Sequence, residues 1–191
     1  MILKEEDVLP RVGMVGNPNA GKSTVFNLLT GLRQQTGNFP GVTVEIKKGR
    51  MRFPSGKEAM LVDFPGTYSL YPTSSDEKLV AAVMTNPDDV FFPDALIYIA
   101  DVTHLERHLL LLTQLLDLNL PVILALNMSD TASEMGIKVN TAKLSDQLGV
   151  PVISISGRKE DNIQRLLSEV EKMLKTPQKA SEQSIFYKLT D

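Results

Sequence analysis

Apolar residues along the chain gather into short runs separated by longer amphipathic stretches, and the two kinds alternate. Runs of strand length occupy residues 12–15, 59–62, 95–100, 122–126 and 150–153. Most lack polar alternation, as expected of strands covered on both faces. Helical periodicity occupies residues 23–32, 76–84, 104–118, 141–148 and 162–174. In the last of these, Ile163, Leu166, Leu167, Val170 and Leu174 share one face, with Asp161 as the expected N-cap. Residues 43–53 (TVEIKKGRMRF) are polar and partly alternating, and they reach the next strand through Pro54-Ser55-Gly56-Lys57, a hairpin-type turn. The pattern predicts an α/β fold: a mostly parallel six-stranded sheet with one antiparallel edge strand and helices on both faces.

The 191 residues suit one domain, expected over residues 1–175, with residues 176–191 as a polar linker and the start of a further helical extension. The leucine-rich stretch 109–128 has Asp117 as its only charge, but Pro121 breaks it, so helix followed by buried strand is the reading rather than a membrane span. Residues 1–10 (MILKEEDVLP) lack a secretory pattern, which predicts a cytosolic start. Twenty Lys and Arg against 23 Asp and Glu give a net charge of −3, which argues against a broad nucleic-acid face. The absence of Cys removes thiol nucleophiles, zinc knuckles and disulfide scaffolds together.

Nearly every predicted strand is followed at once by a polar or glycine-containing cluster, and in open parallel sheets such clusters line one rim where ligands bind. The first is Gly16-Asn17-Pro18-Asn19-Ala20-Gly21-Lys22-Ser23, which fits G-x-x-x-x-G-K-[ST] between a strand and a helix. Backbone N–H groups of such a loop curl around phosphate oxygens. Gly16, Asn17, Asn19, Ala20, Gly21, Lys22, Ser23 and Thr24 are therefore the expected phosphate-binding segment, with Lys22 on the β- and γ-phosphates and Ser23 on Mg²⁺. The fold class narrows to a P-loop NTPase of small-GTPase type.

Asp63-Phe64-Pro65-Gly66 places a carboxylate at the end of a strand, suited to holding Mg²⁺, with the Gly66 N–H facing a γ-phosphate. Residues 34–43 (QQTGNFPGVT) lack apolar periodicity and read as a mobile loop whose Thr43 hydroxyl closes onto Mg²⁺. Asn127-Met128-Ser129-Asp130 is the N-x-x-D that separates guanine from adenine: an ionised Asp130 only accepts hydrogen bonds, and guanine offers two adjacent donors. Ser156-Gly157-Arg158 is expected to give a backbone N–H to the guanine carbonyl. His104 and His108 stand four apart on one predicted helix, but two ligands without a third make a poor metal site, so a solvated face is the reading.

Three stretches go beyond the generic pattern: TGNFPGVTVEIKKG from Thr36, DFPGTYSL from Asp63, and DVTHLERHLLLLTQLL from Asp101. Over residues 11–175 the chain resembles the N-terminal G domain of the FeoB family of bacterial ferrous-iron transport proteins. The resemblance implies a module that binds GTP or GDP with Mg²⁺ and hydrolyses GTP slowly. It implies a place on the cytoplasmic face of the cell membrane, with a permease part of the same full-length protein as partner and any oligomer formed through that transporter. It assigns phosphate contacts to Gly21 and Lys22, metal to Ser23, Thr43 and Asp63, and sensing to Asp63 and Gly66. Guanine recognition goes to Asn127 and Asp130, and K⁺ in place of an arginine finger to Asn19. Lys22, Thr43, Gly66 and Asn19 are thus the expected catalytic set. Thr67 stands where signalling GTPases place a water-orienting glutamine, which predicts slow turnover, and Met128 replaces their lysine beside the base. The alternative is a ribosome- or RNA-associated P-loop GTPase.

Overall fold

A computed structural model describes residues 9–32, 34–38 and 44–176. The strands are β1 (Arg11–Gly16), β2 (Gln34–Asn38), β3 (Glu45–Arg52), β4 (Glu58–Asp63), β5 (Ala95–Asp101), β6 (Val122–Asn127) and β7 (Val152–Ser154). The helices are α1 (Lys22–Thr30), α2 (Ser75–Met84), α3 (Leu105–Leu116), α4 (Ser129–Glu134), α5 (Thr141–Leu148) and α6 (Ile163–Lys175). The sheet order is β2-β3-β4-β1-β5-β6-β7. Strands β4, β1, β5, β6 and β7 run parallel, whereas β2 and β3 are antiparallel to their neighbours.

Successive residues of the central strands feed two separate cores. Leu96, Tyr98 and Ala100 of β5 and Val122, Leu124 and Leu126 of β6 pack with α2 and α3. Ile97, Ile99, Ile123 and Ala125 face the other way, onto Val25, Phe26 and Leu29 of α1 and Leu166, Leu167 and Val170 of α6. Both sides of these strands are therefore apolar. Strands β2 to β4 lie on one side of β1 and strands β5 to β7 on the other, so the loop after β1 opens at the switch point where ligands of such sheets bind.

Four expectations are corrected. The sheet has seven strands among the described residues, because residues 34–38, read as part of a loop, pair antiparallel with β3 from Gln34↔Gly49 to Asn38↔Glu45. That pairing runs through the backbone, so QQTGN needs no apolar alternation to join the edge. Strand β7 begins at Val152 rather than residue 150; Pro151 has no N–H for a ladder, although its carbonyl accepts from Leu124 N–H at 2.9 Å. The N-cap of α6 is Asn162 in the left-handed region (φ 57°), not Asp161; its side-chain amide donates instead to the Ser154 carbonyl. The six-residue α4 was not expected, because SDTASE carries no apolar stripe. Thr43 and residues 177–191 lie outside the described residues, as does most of the expected linker.

No helix among the described residues is long and apolar enough to cross a membrane. Tyr98, fully buried, sends its hydroxyl toward α3, 2.7 Å from the His108 carbonyl and 3.0 Å from the Asn17 side-chain oxygen. Its one hydrogen serves one acceptor at a time. The Asn17 amide in turn donates to the Arg107 carbonyl at 3.1 Å, tying the first loop to α3. Tyr98→Phe is expected to lower stability by about 1–2 kcal/mol, since it strips a partner from buried polar atoms; urea unfolding of the two proteins measures it.

Candidate functional site

The loop after β1 takes its shape from backbone that few residues adopt. Gly21 has φ 84° and caps α1 with no side chain, leaving the first N–H groups of that nine-residue helix free for an anion. A Cβ there would lie 2.3 Å from the Asn127 side-chain nitrogen, so conformation and space both demand glycine. Asn19, exposed at φ 66°, stands at the tip of the loop. Asn17, Pro18, Asn19, Gly21, Lys22, Ser23, Thr24 and Gly66 line a cleft of about 420 Å³. Ala20 is buried against the core and contributes backbone, and the Asn17 side chain is turned inward.

The loop after β4 closes against this cleft. Thr67 N–H donates to the Gly16 carbonyl at 3.2 Å, and a Cβ on Gly66 would lie 3.1 Å from Pro18 atoms. At the end of β4 the Asp63 carboxylate meets the Lys22 ammonium at 3.2 Å. Burial pushes the Asp63 carboxyl up from its ordinary range, against the opposing pull of Lys22 and, more weakly, Lys47. A second cleft of about 290 Å³ adjoins this pair, with Lys22, Asp63, Glu45, Lys47 and Asp76 on its walls. Lys22 belongs to both clefts, so it stands between a space for an anion and one edged by carboxylates.

At the far end of the rim the buried Asn127 side chain joins three segments. Its amide nitrogen donates to the Ala20 carbonyl at 2.9 Å, and its oxygen accepts from Gly157 N–H at 3.0 Å. The loop after β7 is thereby fixed to the loop after β1. Met128, left-handed at φ 64°, starts α4 and reaches over Gly21. Asp130 is buried, and although burial opposes it, the Ser156 hydroxyl, the Thr131 N–H and the Arg158 charge hold its carboxyl below the ordinary range. Its Oδ2 has no aligned hydrogen bond; the Arg158 Nε lies 2.8 Å away as an ion pair. A buried, ionised carboxylate with spare acceptor capacity suits a ligand presenting adjacent donors.

A further set of residues escaped the sequence reading. Glu77 on α2 gathers the segment after Gly66: its Oε1 accepts from the Thr67 hydroxyl (3.4 Å) and Tyr68 N–H (3.3 Å), and its Oε2 from the Thr73 N–H (2.9 Å) and hydroxyl (2.8 Å). Gln114 on α3 accepts from Leu70 N–H at 2.8 Å and the Ser69 hydroxyl at 3.1 Å. The readable signal was Ser74-Ser75-Asp76-Glu77, an S-x-x-E capping pattern: Ser74 caps α2 by accepting from Glu77 N–H at 3.2 Å. Thr67 is fully buried, and its one hydroxyl hydrogen serves either the Ser69 carbonyl at 3.0 Å or Glu77, so the side chain faces inward. The two histidines separate: His104 is exposed and bonded to Asp101 and Thr103, whereas His108 is buried, which lowers its pKa. The solvated face expected for both holds for His104 alone, because α3 turns His108 toward the core. No cluster of three metal-binding side chains of His, Cys, Asp or Glu occurs among the described residues.

The hydrogen bonds of Thr73, backbone first and then hydroxyl, followed by Tyr68 N–H, hold Glu77 down to about 2 from an ordinary 4.5. The stabilisation this carries is complete above pH 4.5 and is lost as pH falls through about 2. Glu77→Gln is therefore expected to melt at lower temperature than the wild type at pH 7, with the gap narrowing below pH 4.5. Thermal melts across a pH series test this; a gap independent of pH would assign the effect to packing instead.

Comparison with known proteins fits this geometry. The family model for ferrous iron transport protein B matches residues 10–170. The Fe(2+) transporter FeoB of Escherichia coli (strain K12) is 43% identical over 159 residues, covering 81% of this chain and 20% of the transporter. The chain thus spans about one fifth of the length of such relatives. The cytosolic domain of the T. maritima FeoB iron transporter in a GDP form superposes with a TM-score of 0.83 at 34% identity, over 88% of this chain and 64% of that one. A GDP-bound point mutant of the S. thermophilus FeoB G-domain gives a TM-score of 0.80 at 37% identity, over 91% of this chain and 65% of that one. The T. maritima domain in its GMPPNP form scores 0.82 at 34% identity, covering 88% of this chain and 65% of that one. The fold is that of the P-loop GTPases, and the chain belongs to the ferrous iron transport protein B family, as its N-terminal G domain.

Proposed function

We propose that this domain binds GTP and GDP, hydrolyses GTP slowly, and regulates a ferrous-iron permease in the membrane part of the full-length protein. The observation that carries this reading is the joining of the rim loops by Asn127, which sets a cleft around Lys22 beside the buried acceptor Asp130. The relatives in GDP and GMPPNP forms support the same ligand class. Family membership disfavours the ribosome-associated alternative.

In this reading the free N–H groups at the start of α1 and the Lys22 ammonium bind the phosphates, and Gly66 N–H senses the terminal one. Asp130 accepts from the guanine N1–H and N2 amine, Met128 covers a ring face, and the Ser156 to Arg158 backbone donates to the base carbonyl. The hydroxyl of Ser23, exposed in the Lys22 cleft, and the Asp63 carboxylate are oxygen donors that suit a hard cation, so these residues would hold Mg²⁺ together with Thr43. Bound Mg²⁺ would neutralise charge on the phosphate oxygens. The exposed amide oxygen of Asn19 would be a ligand for K⁺. With the Thr67 hydroxyl committed to Ser69 and Glu77, that side chain does not orient an attacking water, in keeping with slow turnover of about 10⁻⁴ to 10⁻² s⁻¹. The loop from Gly66 to Thr73, held by Glu77 and Gln114, is the segment through which nucleotide state reaches the cytoplasmic side of the permease.

Titration with labelled GDP, GTP and ATP is expected to give strong guanine preference, with Asp130→Asn reducing it by two or more orders of magnitude and Lys22→Ala weakening all three nucleotides. ATP competing as well as GTP would sink the base assignment. GTP turnover is expected to be faster in KCl than in NaCl, and Asn19→Ala is expected to erase the difference; equal wild-type rates in the two salts would remove K⁺ from the reading.

A further inference from the structure

Asp130 and Glu134 stand one helical turn apart on α4, and the guanidinium of Arg158, from the loop after β7, bridges them. Its Nε lies 2.8 Å from Asp130 Oδ2, and its Nη2 lies 3.3 Å from Glu134 Oε1. The two ends of the bridge differ. The Asp130 side chain is 3% exposed, whereas Glu134 is 61% and Arg158 67% exposed. A carboxylate offers about four acceptor sites. On Asp130 the Ser156 hydroxyl and the N–H groups of Thr131 and of Asp130 itself already act on the carboxyl. Guanine brings two donors of its own, and Arg158 stands at the oxygen that has no aligned bond.

We propose that Arg158 is a competitive latch on the base pocket: its guanidinium pairs with Asp130 and must leave that carboxylate before guanine engages it. This inference rests on the guanine reading given above. The latch lowers the fraction of molecules ready to bind, and apparent affinity falls by that fraction. An ion pair whose arginine is mostly in solvent is weak, so the closed form outweighs the open one by a small factor, about fivefold at most. The latch therefore tunes nucleotide entry and leaves the pocket usable. Adenine has no pair of donors at this edge and does not compete for the carboxylate, so the latch acts on guanine alone. Glu134 pairs with the guanidinium while it stands at Asp130, so it helps to hold the latch closed.

Stopped-flow association and equilibrium binding of ribose-labelled GDP and ADP to the full chain test this, with Arg158→Ala, Glu134→Gln and the double variant. Arg158→Ala is expected to bind GDP about three- to fivefold more tightly, through faster association, with ADP unchanged. Glu134→Gln is expected to bind GDP more tightly by a smaller factor, a gain that general destabilisation does not produce. The double variant is expected to match Arg158→Ala, since Glu134 acts only through the guanidinium. If GDP is preferred over ADP but Arg158→Ala binds it no faster and no tighter, the latch is overturned and the base reading stands. If the wild type binds GDP and ADP alike, the base reading fails and takes the latch with it.

Discussion

The arrangement of the rim depends on one buried amide. Asn127 has its backbone in β6, between β5 and β7, and its side chain spends both polar atoms on other loops, one on the Ala20 carbonyl and one on Gly157 N–H. A buried amide must be satisfied, and these are the partners that the strand order brings within reach. The same contact explains the absence of a side chain at Gly21, where a Cβ would collide with the Asn127 nitrogen. The asparagine of the N-x-x-D motif thus builds the frame that joins the loops after β1 and β7.

Around that frame the site is organised by hydrogen bonds from helices behind the rim. Tyr98 and Asn17 attach the first loop to α3, and Gln114 of the same helix holds Ser69 and Leu70. Glu77 of α2 collects Thr67, Tyr68 and Thr73. The loop after β1 and the segment at Ser69 and Leu70 share α3 as a common support. These contacts lie in the layer of α2 and α3, opposite the α1 and α6 layer.

Much of this was legible in the amino-acid order. Strands buried on both faces appear as unbroken apolar runs, and β5 and β6 were placed to within a residue for that reason. The motif G-x-x-x-x-G-K-S was found where glycine and lysine carry chemistry of their own, and the structure brings Lys22 to Asp63 as expected. What stayed hidden was stabilised by something other than side-chain pattern. Strand β2 exists through backbone pairing with β3, and α4 is short and polar. The partners of Gln114 lie 44 and 45 residues away along the chain, and no local spacing announces such a bond. Those of Glu77 lie in the loop just before its helix, and its capping pattern does not say where the side chain goes. His108 misled because four-residue spacing places it near His104 along the helix without saying which side of α3 meets the core.

The Lys22–Asp63 contact has a consequence for what can enter. Each group currently discharges the other in a poorly solvated place. An arriving anion that draws away the ammonium strands a carboxylate, and a lone cation that claims the carboxylate strands the ammonium. Cargo carrying both signs together would leave neither orphaned, so this contact would favour it over a bare anion or a lone cation.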